Sequence, residues 1–127
     1  MKIFYRLQKE PVIDRSCVFT FGTFDGVHLG HRHIFDTLAQ VAKRQNMPTV
    51  VLTFSNHPLE VLSPGQPVCR LTSEAQKLKQ LASYGFSVVV DVPFDAAMSA
   101  LSADAFLKAV QKMVPFSSLV VGSDVSF

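Results

Sequence analysis

The chain has 127 residues, a formal charge of +2, 48% apolar residues and 17% charged ones. That balance fits one folded domain around one core and excludes a disordered chain. So small a charge, with no cationic stripe, argues against a nucleic-acid groove and leaves room for a small anionic ligand.

In chain order, residues 3–6 read as a short lead-in strand. Charges at Lys2, Arg6, Lys9, Glu10 and Asp14 break up the N-terminal apolar residues, so no signal peptide is read there. No run approaches the roughly 18 apolar residues of a membrane span. Residues 9–16 are polar and form a loop. Cys17-Val18-Phe19-Thr20-Phe21 is a near-continuous apolar run closed by Gly22, as expected for a central strand of a parallel sheet.

A Gly-rich polar loop follows, then a helix from about Leu29 to Gln45. Ile34, Phe35, Leu38, Val41 and Ala42 make its buried face, and Lys43 and Arg44 suit the negative end of its dipole. Asn46 and Pro48 stop it. Thr49–Phe54 is a second strand, turned at its end by Ser55-Asn56-His57-Pro58. Residues 63–67 form a Pro/Gly loop. Thr72 or Ser73 caps a helix to about Tyr84, with Leu78, Leu81 and Ala82 inward and Gly85 at its end. Residues 86–92 are a third strand. Ser102 caps a helix to about Val114 with Phe106, Leu107 and Val110 as its stripe, and residues 118–122 are a fourth strand.

Strands alternating with helices predict an α/β domain with a parallel sheet. Ligands of such sheets bind outside the carboxyl ends of the strands. Residues 22–31, Asn56 with His57, and Ser123 with Asp124 all follow strands at that end. Gly22, Gly26 and Gly30 allow close approach of backbone, and the helix behind them offers free amides and a positive dipole end to phosphate. His28 and His31 flank Gly30, where imidazoles can donate to phosphate oxygens as charge builds up. No Walker lysine and no G-x-G-x-x-G is present, and His28, His31 and His33 lack the H-E-x-x-H spacing of a zinc site. His33 is expected on an exposed helix face. Cys17 and Cys69, with no motif spacing, read as reduced, buried thiols of a cytoplasmic protein.

The segment Gly22-Thr23-Phe24-Asp25-Gly26-Val27-His28-Leu29-Gly30-His31 resembles the H-x-G-H signature of the nucleotidyltransferase superfamily. Its fuller Phe-Asp-Gly-Val-His-Leu-Gly-His phrase is similar to that of bacterial bifunctional riboflavin kinase/FMN adenylyltransferases, the FAD synthetases. Three further segments agree in order: Thr53-Phe54-Ser55-Asn56-His57-Pro58, with Asn56 for the usual Pro; Arg70-Leu71-Thr72; and Val120-Val121-Gly122-Ser123-Asp124-Val125-Ser126-Phe127, with Val125 for the usual Phe.

The resemblance implies a Rossmann-like nucleotidyltransferase fold, with a central parallel sheet flanked by helices. It also implies transfer of AMP from ATP to FMN, giving FAD and pyrophosphate, with Mg²⁺. Gly22, Thr23, Phe24, Gly30 and His31 then bind ATP, and His28 and His31 stabilise its phosphates. Asn56, His57, Pro58 and Asp124 face the flavin, with Asp25 and Arg70 in support; Asp25 also reads as a loop brace and Arg70 as a surface charge. No residue is assigned as a metal ligand. In that family the last segment continues into an Ile-Ser-Ser-Thr-x-Ile-Arg-like stretch completing the ATP site, and then into a riboflavin kinase domain. Residues 1–127 are therefore expected to be an adenylyltransferase domain incomplete at its C-terminus, partnered by that missing part. A relative using CTP or another acceptor, and an inactive nucleotide-binding fragment, remain the alternatives.

Overall fold

A computed structural model describes residues 2–22, 24, 29–55, 65 and 74–120. Among them the elements are β1 (Lys2–Phe4), β2 (Cys17–Phe21), α1 (Leu29–Gln45), β3 (Thr49–Phe54), α2 (Glu74–Ala82), β4 (Val88–Val92), α3 (Ala96–Ser99), α4 (Ala103–Met113) and β5 (Phe116–Leu119). The strands form one five-stranded sheet in the order β1-β4-β3-β2-β5, and all four neighbouring pairs are parallel. The register aligns Val18–Phe21 with Thr49–Leu52 and Val50–Phe54 with Val88–Val92.

The sheet has a core on each face. Strand side chains alternate between faces, so the two cores take alternate residues of the same apolar runs. Val18, Val51 and Val89 pack with Ile34, Phe35, Leu38 and Ala42 of α1 and Leu81 of α2. Phe19, Phe21, Leu52, Phe54 and Val90 pack with Phe106, Val110 and Met113 of α4. Parallel crossovers are right-handed, so a connection that reverses its direction across the sheet must cross on the opposite face. The chain steps from β2 to β3 to β4 in one direction with α1 and α2 on one face. It then returns past β3 and β2 to β5 with α4 on the other.

Local signals explain the boundaries. Asn46 takes a left-handed φ of 53°, and Met47 N donates to Ala42 O at 2.9 Å. That is a Schellman ending, for which Asn is second only to Gly. Gly85, at φ 73°, closes the turn after α2. The Ser102 hydroxyl accepts from Ala105 N at 3.1 Å and caps α4. Asp95 does the same for α3, accepting from Met98 N at 2.8 Å.

The differences from expectation lie at ends and faces. β1 is Lys2–Phe4 rather than 3–6. The third expected strand begins at Val88, because Phe86 turns into the α1 and α2 core beside Phe35 and Tyr84. β5 begins at Phe116, two residues early, and residues 121 and 122 lie outside the described ones. α2 ends at Ala82, and Ala82 is exposed whereas Lys77 is buried. The four-residue α3 was not anticipated.

Candidate active site

The carboxyl ends of β2, β3 and β4 change character on the α1 and α2 face. Toward the amino ends, Val18, Val51 and Val89 supply apolar core. Near the carboxyl ends stand Thr20, Thr53 and Asp91, each the penultimate residue of its strand, together with Lys77 from α2. All four are buried. Thr53 and Asp91 are direct register partners. Lys77 Nζ lies 3.8 Å from Asp91 Oδ1 and also donates to Phe54 O. Among the described residues the Thr20 hydroxyl has no hydrogen-bond partner. Buried polar groups cost free energy unless paired, so their concentration at one sheet edge marks that edge as the chemical end of the domain.

The first loop leaves β2 there. Gly22 N donates to Leu52 O at 3.1 Å, prolonging the ladder past β2. A Cβ on Gly22 would come 2.9 Å from the ring of Phe24. That ring is buried and meets Phe35 of α1 at a centroid distance of 5.0 Å, so it has little room to retreat. Phe24 holds a left-handed φ of 50°, a conformation costing a non-glycine residue on the order of 1–2 kcal/mol. Gly22 and Phe24 thus pin the start of the loop to α1. The expected nucleotide residue Phe24 turns its ring into the core and leaves only its backbone for a ligand.

Helix α1 opens at Leu29, with Gly30 and His31 in its first turn and no acidic residue there to compete for the amides. Its free N–H groups and positive dipole end lie at the loop's far side, an arrangement suited to phosphate. His33 is exposed, as expected. Thr23, Asp25, His28, Asn56, His57, Pro58, Arg70 and Asp124, and the side chain of His31, lie outside the described residues. Three of the strands that precede these residues in sequence are neighbours in the sheet. The loop of residues 22–28 follows β2, residues 55–58 follow β3, and residue 120 follows β5, where Val120 N donates to Phe19 O at 2.9 Å. β2 stands between β3 and β5, and ligands of open parallel sheets bind outside the carboxyl ends of the strands.

Lys77 and Asp91 were missed in the sequence. A lysine in an amphipathic helix normally marks the solvent face, and the one available signal was its place four residues before the buried Leu81.

An all-parallel doubly wound sheet, a Gly-rich loop entering a helix at its carboxyl edge, and a polar belt beneath are the architecture of an α/β nucleotidyltransferase. A family model described as FAD synthetase matches residues 10–127. The chain belongs to the FAD synthetase family. It is 38% identical over 124 residues, 97% of its length, to the bifunctional riboflavin kinase/FMN adenylyltransferase of Escherichia coli K12, covering 39% of that protein. It is 30% identical over its whole length to the protein of the same name from Buchnera aphidicola of Acyrthosiphon pisum, covering 41% of it. The Listeria monocytogenes protein of that name is 35% identical over 90% of this chain. The chain therefore spans about two fifths of the curated relatives it matches. Among solved structures, a chain titled macrolide-efflux protein from Streptococcus pneumoniae superposes with a TM-score of 0.87 at 25% identity, over all of this chain and 50% of that one. Among the described residues of this chain, no helix is long and apolar enough to cross a membrane.

Proposed function

We propose that this chain transfers AMP from ATP to FMN. An FMN phosphate oxygen attacks the α-phosphorus of ATP, the bond from that phosphorus to the α–β bridging oxygen breaks, and pyrophosphate leaves with FAD as the product. The observation that carries the reading is the family match over residues 10–127, reinforced by relatives whose name includes FMN adenylyltransferase. Riboflavin kinase activity, the other half of that name, is assigned to the part of those relatives that this chain does not match. Cytoplasmic residence follows from a reaction that consumes ATP and FMN.

In this reading the residues take the roles expected of them from the sequence. ATP phosphates lie against the α1 N-terminus and the backbone of Gly22, Thr23, Phe24 and Gly30. His28 and His31 donate to the phosphate oxygens on which charge accumulates. Asn56, His57, Pro58 and Asp124 form the flavin side, and Asp25 and Arg70 brace their loops. No covalent intermediate is required, so catalysis rests on alignment and charge stabilisation. Mg²⁺ would neutralise the leaving pyrophosphate. Among the described residues no three His, Cys, Asp or Glu side chains gather into a metal-holding group.

Protein made from the complete coding sequence, incubated with ATP, Mg²⁺ and FMN, should form FAD and pyrophosphate, read by chromatography and a pyrophosphate assay. His28→Ala and His31→Ala should each cut turnover roughly 10²–10³-fold with an unchanged circular dichroism spectrum. Adenylylation of another acceptor, or preference for CTP, would reject the assignment.

A further inference from the structure

Lys77 is a charged side chain that α2 has no packing reason to carry. It is 1% exposed and sits one helical turn before the buried Leu81. A methionine or leucine of similar reach could fill that place without desolvating an ammonium, and buried ion pairs are often replaceable by apolar residues at no loss of stability. The lysine differs from such a residue in what it holds.

Its Nζ donates to the carbonyl of Phe54, the last residue of β3. On the edge of β3 that faces β2, carbonyls accept in steps of two, from Val18 N to Pro48 O at 3.0 Å and from Gly22 N to Leu52 O at 3.1 Å. Phe54 O is the next in that series but lies beyond the end of β2 at Phe21, and it receives the lysine. Asp91, the register neighbour of Thr53, supplies the counter-charge at 3.8 Å. On the opposite edge, Ser55 N donates to Val92 O at 2.9 Å. The peptide leaving β3 is thereby held by β4 on one side and by α2 on the other. The next residues are Asn56-His57-Pro58.

We propose that Lys77 is a positioning residue for the acceptor: with its charge balanced by Asp91, it fixes the exit of β3 at Phe54, the strand end from which the sequence runs on into the residues proposed above for the flavin side. The inference rests on the FMN adenylyltransferase reading. Alignment of reacting groups is sensitive to shifts on the order of 1 Å, which can cost about 10²-fold in rate. Because Lys77 holds the end of β3, the strand that leads into the proposed flavin residues, its loss acts on the acceptor side more than on the nucleotide side.

The test uses protein from the complete coding sequence and measures FAD synthesis with each substrate varied in turn, together with thermal melting. Lys77→Met should lower kcat/KM for FMN about 10²-fold while KM for ATP stays within about twofold. Lys77→Arg, which keeps the donor and the charge, should recover most of that loss. Because Lys77→Met removes the cation beside the buried Asp91 carboxylate and threatens folding, the double variant Lys77→Met with Asp91→Val is made alongside it. The double variant should melt near the wild-type temperature yet keep the FMN defect. Return of FMN kinetics to wild type in the stable double variant, or equal losses for ATP and FMN, would reduce Lys77 to a structural residue and overturn the inference. Wild-type protein that makes no FAD overturns the functional reading and this inference together, whereas wild-type synthesis with unchanged Lys77→Met kinetics overturns the inference alone.

Discussion

Cys17 opens β2 with its thiol fully buried, and burial pushes that thiol up to about 11. The sign of the consequence follows from which state holds the proton. Above its ordinary value near 9 the unfolded chain ionises this thiol while the folded chain keeps it neutral. The associated stability is therefore present below about pH 9 and is lost as pH rises toward 11, by on the order of 2 kcal/mol. Urea titrations at pH 8 and pH 10.5 should show a larger fall for wild type than for Cys17→Ala. Equal falls would mean the thiol titrates alike in both states. At this scale the sequence was readable where a residue's chemistry is local. A cysteine opening an apolar strand is buried. It was not readable at Lys77, because nothing local tells a lysine that donates across to another element from one that faces water.

Helices and strands were legible to within a few residues because caps and apolar periodicity are written in neighbouring positions. Ser102, Asn46 and Gly85 each end or begin an element through backbone hydrogen bonds of their own vicinity. Ser102→Ala removes the acceptor for Ala105 N and should cost about 1 kcal/mol in chemical denaturation, with the proposed adenylyl transfer unaffected because α4 packs on the face away from α1. A loss of activity without a loss of stability would tie α4 to the site. Two element features escaped the pattern. α3 is only four residues long, too short for a helical period to declare itself. α2 shows Ala82 to solvent and buries Lys77, because partners distant in sequence decide which stripe faces inward.

Across the whole molecule, β2, β3 and β4 lie inside the sheet, while the three-residue β1 and the four-residue β5 hold its edges. Local opening is easiest where a strand has one neighbour and little buried side chain. Native-state hydrogen exchange should find the slowest amides in β2, β3 and β4 and faster exchange in β1 and β5; protection of β5 equal to that of β3 would contradict this ranking. The sequence by itself determined the α/β class, the parallel sheet and the family, because continuous apolar strands, capped amphipathic helices and contiguous motifs are all short-range signals. Only the tertiary structure decided the strand order, the exchange of faces between α2 and α4, and the burial of Lys77 against Asp91 and Phe54. Those depend on which distant segments become neighbours, and handed crossovers and packing impose that after the local elements have formed.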